Sequence, residues 1–150
     1  MKQLRVAVLL SLFVLIACSC SRVVQVRSDS GLTAQGAETW LNSKMVSAPK
    51  ADLTGKWDAG SAFAGGWGEG NFMQEKANFF GTLGLYNIKG VVSGTAVHFV
   101  LISNGTVYYT GEMSKKSAGS YAGKAVKGAF VDAPLAVAAE VYPITFQKMN

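Results

Sequence analysis

The chain has 150 residues, of which 49% are hydrophobic and only 15% charged, a balance that fits one domain with a sizeable core and excludes a disordered chain. Seventeen glycines against 3 prolines argue against a helical bundle, since glycine weakens helix interiors, and favour short strands joined by glycine turns. The formal charge of +5 falls to +3 once Lys2 and Arg5 are set aside, and the remaining positives are scattered along the chain, which argues against a nucleic-acid partner.

Residues 1–5 carry two positive charges, and residues 6–17 are apolar except for Ser11. Twelve helical residues cover about 18 Å, short of the roughly 30 Å hydrocarbon core, so this segment reads as a secretory signal rather than a span. Both cysteines, Cys18 and Cys20, sit at its end. Two residues apart, they cannot staple distant parts of a fold. The run Leu15-Ile16-Ala17-Cys18 resembles the lipobox of bacterial lipoproteins. That resemblance implies recognition of Leu15, Ile16 and Ala17 by a signal peptidase, cleavage after Ala17, and lipidation of Cys18 by diacylglyceryl and palmitate-type acyl chains. Its partner is then the membrane, held through Cys18, and Cys20 is left as a spare thiol or one that pairs with another chain. An aspartate after the lipidated cysteine retains such proteins at the inner membrane; Ser19 stands there instead, which implies the outer membrane of a Gram-negative host.

Residues 18–51 read as a lipidated N-terminus and tether. A short valine run occupies 23–26, and 28–31 is a turn cluster. Residues 37–45 suit a short helix with Trp40, Leu41 and Met45 on one side, ended by the break at Pro49. Trp40 either docks on the folded domain or lies at the lipid interface.

From Asp52 onward, β-prone segments alternate with turns: 54–59, 66–76, 78–86, 88–93, 96–102, 106–113, 120–126 and the second half of 136–149. Asn104-Gly105 is a strong hairpin signal, and 114–119, with Lys115 and Lys116, reads as a polar turn. Short connections imply sequential antiparallel pairing, so residues 52–150 are expected to form an all-β, eight-stranded antiparallel up-and-down barrel, with an open sandwich of the same strands as the alternative. In the fifth strand Val97, Phe99 and Leu101 share one face; in the sixth, Val107, Tyr109 and Met113 do. These sets are expected to point inward, either as a packed core or as the lining of a ligand cavity.

The stretch Leu53-Thr54-Gly55-Lys56-Trp57 resembles the opening strand of calycins, the lipocalin and avidin group. The resemblance implies a barrel whose closed end is plugged by Trp57, and a binding function for a small apolar ligand. It rests on five residues. No tryptophan follows Trp67, which argues against biotin, and the Thr-Asp-Tyr motif of lipocalins is absent.

Catalytic chemistry has little to draw on. His98 is the only histidine and is expected to face outward from an apolar strand. No cysteine lies in the body, and pairs among Asp58, Glu69 and Glu75 have no distinctive spacing. The glycine-rich 65–70 lacks the lysine of a phosphate loop and reads as a mobile loop at the barrel mouth. The expectation is a non-enzyme without metal or cofactor. It would be an envelope lipoprotein that binds a small apolar ligand along Trp57, Val97, Phe99, Leu101, Val107 and Tyr109, or a barrel that contacts envelope proteins or the cell wall.

Overall fold

The computed structural model describes residues 32–133 and 139–150; the leader, the lipobox at 15–18, Ser19 and Cys20 lie outside the described residues. One helix, α1 (Ala34–Lys44), precedes eight strands: β1 (Gly55–Asp58), β2 (Glu69–Glu75), β3 (Asn78–Leu83), β4 (Tyr86–Ser93), β5 (Ala96–Ser103), β6 (Thr106–Ser117), β7 (Ser120–Lys127) and β8 (Val141–Lys148). Each strand pairs with its sequence neighbour, and β1 pairs with β8, so the sheet is a closed antiparallel barrel in chain order. The expected architecture is therefore the observed one, and it is compatible with a calycin-like fold. Closure is narrow: Trp57↔Lys148 and Asp58↔Gln147 pair β1 with β8, and Met149 N–H donates to Lys56 O at 3.0 Å just beyond them.

Asn104 and Gly105 both adopt positive φ, 48° and 76°, as a two-residue hairpin requires. The expected turn at 114–119 is shorter than its polarity suggests. β6 runs on through Lys115 and Lys116 to Ser117, because an irregularity in the β6–β7 register lets the strand continue before reversing.

The barrel interior is filled by side chains. Trp57, Phe72, Phe79, Phe99 and Phe146 are each at most 1% exposed and pack with Leu53, Leu83, Ile88, Val97 and Leu101. Glycines on neighbouring strands make room for the rings: a Cβ added at Gly90 would lie 2.3 Å from the Phe79 ring, and one at Gly111 2.1 Å from Phe99. Rings lying over glycines let a narrow barrel hold several aromatics at interior density.

A second apolar cluster lies outside the barrel wall. Val91, Val100, Val107 and Val126 point outward and bury Ala37, Trp40 and Leu41 of α1, with Val131 beside them. Thr33 caps the helix by accepting a hydrogen bond from the Gly36 N–H at 3.0 Å. The Trp40 indole donates to Asp132 Oδ1 at 2.9 Å, Lys44 pairs with the same carboxylate, and Lys89 meets Glu38 at 2.8 Å. The reading of 18–51 as a tether is corrected for the part described, since α1 is bound to the wall. The helix is polar around most of its circumference and buries only Ala37, Trp40 and Leu41, a stripe too narrow to mark it as a docked element in the sequence. Trp40 docks on the barrel, and Met45, grouped with it from the sequence, is 39% exposed.

After α1 the chain runs as a strap across one end of the barrel. The buried Ser93 hydroxyl accepts from the Val46 and Ser47 N–H groups, and Lys50 N–H donates to Gly94 O at 2.8 Å. Gln74 then anchors the final stretch. Its Oε1 accepts from Leu53 N–H at 2.8 Å, and its Nε2 donates to the carbonyls of Ala51 and Lys76, each at 2.9 Å.

Candidate functional site

Four connections gather at the end opposite the strap: β1–β2, β3–β4, β5–β6 and β7–β8. The β1–β2 connection is a hydrogen-bonded extension of its hairpin and not the free loop expected from its glycines. Trp67 N–H donates to Ala59 O at 3.0 Å, and Gly68 N–H to Gly60 O at 2.8 Å. An added Cβ on Gly66 would sit 2.5 Å from the Gly60 carbonyl carbon, so only glycine allows the two backbones to close up. This closure turns Trp67 toward the barrel axis.

Trp67 meets Tyr109 edge-to-face at 5.0 Å between centroids, and it packs on Tyr86 and Tyr142 at 6.3 and 6.1 Å. Tyr109 in turn meets Tyr86 and Tyr142 at 5.6 and 5.8 Å. All four are partly exposed, and they form an aromatic cluster across this end of the barrel, its mouth. Leu85, at the tip of the β3–β4 turn, stands 93% exposed beside it. Edge-to-face contacts hold such rings in place beyond their burial alone.

The polar atoms of the cluster are partly committed. The Trp67 indole donates to Pro143 O at 3.1 Å, and the Tyr142 hydroxyl to the Glu140 carboxylate, which also faces Lys127 at 3.5 Å. Burial, reinforced by a hydrogen bond with Tyr86, pushes the Tyr109 phenol up to about 12. The hydrogen bond to Glu140 raises Tyr142 and, chiefly through the same bond, lowers Glu140. Tyr109 and Tyr142 are thus held in their protonated form, beside the charged pair of Glu140 and Lys127.

The residues expected to line a ligand cavity separate into distinct places. Trp57 lies at the strap end, where its indole donates to Leu53 O at 2.6 Å. Val97, Phe99 and Leu101 are fully buried in the packed interior. Tyr109 alone belongs to the mouth. Val107 is corrected from inward to outward: a bulge in the β5–β6 ladder pairs Leu101 with Tyr109 but Ile102 with Val107, so Tyr108 is the extra residue and the faces change phase across it. Val107 consequently joins the cluster beneath α1. Trp67, Tyr86 and Tyr142 were not singled out from the sequence. Their shared signal is an aromatic at the turn-proximal end of a strand, which becomes readable only once the strands close on one another.

His98 lies on the outer wall, as expected, under the edge of Trp40 at 6.0 Å. Its Nδ1 is buried without a hydrogen-bond partner. Burial first, and then the Lys44 charge, lower its pKa, against opposing pulls from Glu112 and Asp132. Asp58 and Glu69 stand opposite each other at the start of the β1–β2 ladder, where Asp58 Oδ1 accepts from Gly60 N–H at 2.9 Å. Among the described residues no three His, Cys, Asp or Glu side chains converge on one point, and no helix is long and apolar enough to cross a membrane. Comparison with protein-family models, with curated proteins and with solved structures returned no match.

Proposed function

We propose that the protein is a lipid-anchored component of a bacterial envelope, held through Cys18, with Ser19 favouring the outer membrane. Its barrel is a non-catalytic binding module that takes a small apolar ligand, or one with a few polar groups, at the mouth formed by Trp67, Tyr86, Tyr109 and Tyr142. The observation carrying this reading is the contrast in filling. The interior is packed to exclusion, while four aromatic side chains at the mouth remain partly open beside the bare Leu85. Partly exposed indole and phenol groups on a rigid frame combine apolar area with hydrogen-bonding capacity at little conformational cost.

Native mass spectrometry on the protein extracted from its host in mild detergent tests this. A reproducible non-covalent adduct that disappears in the Trp67→Ala variant is the expected result. A clean mass from repeated gentle preparations, or an adduct indifferent to Trp67, counts against a ligand at the mouth. Acyl mass on the Cys18 peptide tests the anchor in the same sample. A second reading, contact with an envelope protein or the cell wall, is favoured by Met73 and Phe80. These two face each other across β2–β3 on the outer wall and are 58% and 40% exposed.

A further inference from the structure

The lysines of the described residues divide into two sets. Lys44, Lys89, Lys124 and Lys127 each face a carboxylate: Asp132, Glu38, Glu112 and Glu140. Lys50, Lys56, Lys76, Lys115, Lys116 and Lys148 are exposed and enter no ion pair among the described residues. All six lie at the strap end. Lys50 is in the strap, Lys56 near the start of β1, Lys76 in the β2–β3 turn, Lys115 and Lys116 near the end of β6, and Lys148 at the end of β8, its Nζ 5.5 Å from the Trp57 ring centroid. Asp52 and Glu75 are the side-chain carboxylates at that end, and Asp52 already accepts from the Thr54 N–H at 2.8 Å. A charge that looked diffuse along the sequence is gathered at one pole.

The arrangement says what kind of partner it suits. The six come from around the barrel's circumference and ring its closed end instead of lining a cleft. None is an arginine; every arginine of the chain precedes residue 32. Lysines are flexible point charges without the planar fork that grips a single phosphate or carboxylate. A ring of them suits an extended, laterally uniform anionic surface, to which each adds attraction within a Debye length. We infer that the closed end docks on an anionic phospholipid bilayer, which leaves the aromatic mouth pointing away from the membrane.

The location rests on the lipid-anchored reading, and the chain geometry accommodates it. The end of α1 is fixed near Ser93, at the strap end, so its first residue points toward the mouth. Cys18 lies fourteen positions before Leu32. Fourteen peptide steps reach at most about 50 Å, whereas the eleven residues of α1 cover about 16 Å. The link is long enough to return past the wall to a bilayer under the strap.

The test uses the full-length protein reconstituted into vesicles of phosphatidylcholine alone or with about 30 mol % phosphatidylglycerol. Exposed amines are briefly acetylated, and each lysine is read by peptide mass. The six strap-end lysines are expected to react several-fold more slowly on the anionic vesicles, with the protection lost at about 0.5 M NaCl, while Lys89 and Lys124 on the wall are unchanged. The double variant Lys115→Gln/Lys116→Gln is expected to bring labelling of Lys50 and Lys148 on the anionic vesicles close to their rate on phosphatidylcholine alone, without touching the core. Equal labelling on both vesicles overturns the inference, as does protection of Lys127 at the mouth in place of the six. Protection raised by added peptidoglycan fragments and not by phosphatidylglycerol overturns it in favour of a wall polymer. The same spectra report acylation of Cys18, so loss of the anchor reading is seen separately from loss of the lipid contact.

Discussion

At the strap end, Leu53 and Trp57 are sealed from solvent, the backbone is tied down through Gln74, and unpaired lysines ring the rim. At the mouth, four aromatics are partly open, the neighbouring lysine is paired with Glu140, and Leu85 is bare. One end is finished with buried hydrogen bonds and free charge, the other with rings, hydroxyls and a paired charge. The difference separates stability from recognition: the end that holds the barrel shut has little left with which to select a ligand, and the end that could select one contributes little to holding it shut.

Substitutions at the two ends sharpen that contrast. Trp57→Ala removes the largest sealed side chain and orphans the Leu53 carbonyl, and it is expected to cost about 3–5 kcal/mol. Chemical denaturation reads this directly, and a loss below about 1 kcal/mol would mean the strap end is not the keystone. Gln74→Ala leaves the Leu53 N–H without its acceptor and two carbonyls without their donor, for an expected loss of about 2 kcal/mol by the same measurement. Trp67→Ala gives up edge-to-face contacts in a partly open site. Its expected stability cost is about 1 kcal/mol, with the ligand adduct abolished; the reverse pattern would erase the division between the ends.

Tyr109 gives the smallest effect and an independent sign. Its phenol is raised to about 12 in the folded protein from an ordinary value near 10, so folding favours the protonated form. That contribution is complete below about pH 10 and is lost as the pH rises through about 12, because the unfolded chain ionises first. Tyr121 and Tyr142 are raised as well, so phenolate absorbance should show several late-titrating tyrosines, of which Tyr109→Phe removes the latest. A Tyr109 that ionises with the free phenols would place it outside the mouth cluster.

Much of the barrel was legible because alternation and glycine turns are local signals. β5 is the clearest instance: Val97, Phe99 and Leu101 face inward as the pattern requires. The bulge after Leu101 left no mark in the sequence, and that single extra residue was enough to reverse Val107. The outer seat for α1 was visible only as imperfect alternation, with Val91, Val100 and Val126 on what should have been a solvent face. The mouth was the least legible part. Trp67, Tyr86, Tyr109 and Tyr142 come from four separate segments, and the property that matters, their mutual approach, belongs to the closed sheet and to no segment alone. The charged ring was hidden for the same reason.

The short junction between β1 and β8 gives the molecule a direction of weakness. Tension drawn through the N-terminus reaches α1 first, where a shallow valine seat and the Asp132 contacts hold it, and next the strap and the four residues of β1. Beyond them two residue pairs and the Met149-to-Lys56 hydrogen bond stand between a loaded strand and an open sheet. Pulled from its N-terminal side, the protein should lengthen in stages, peeling helix, strap and seam in turn while the long β4–β7 hairpins stay joined. Pulled through the middle of the sheet, it would resist as one body.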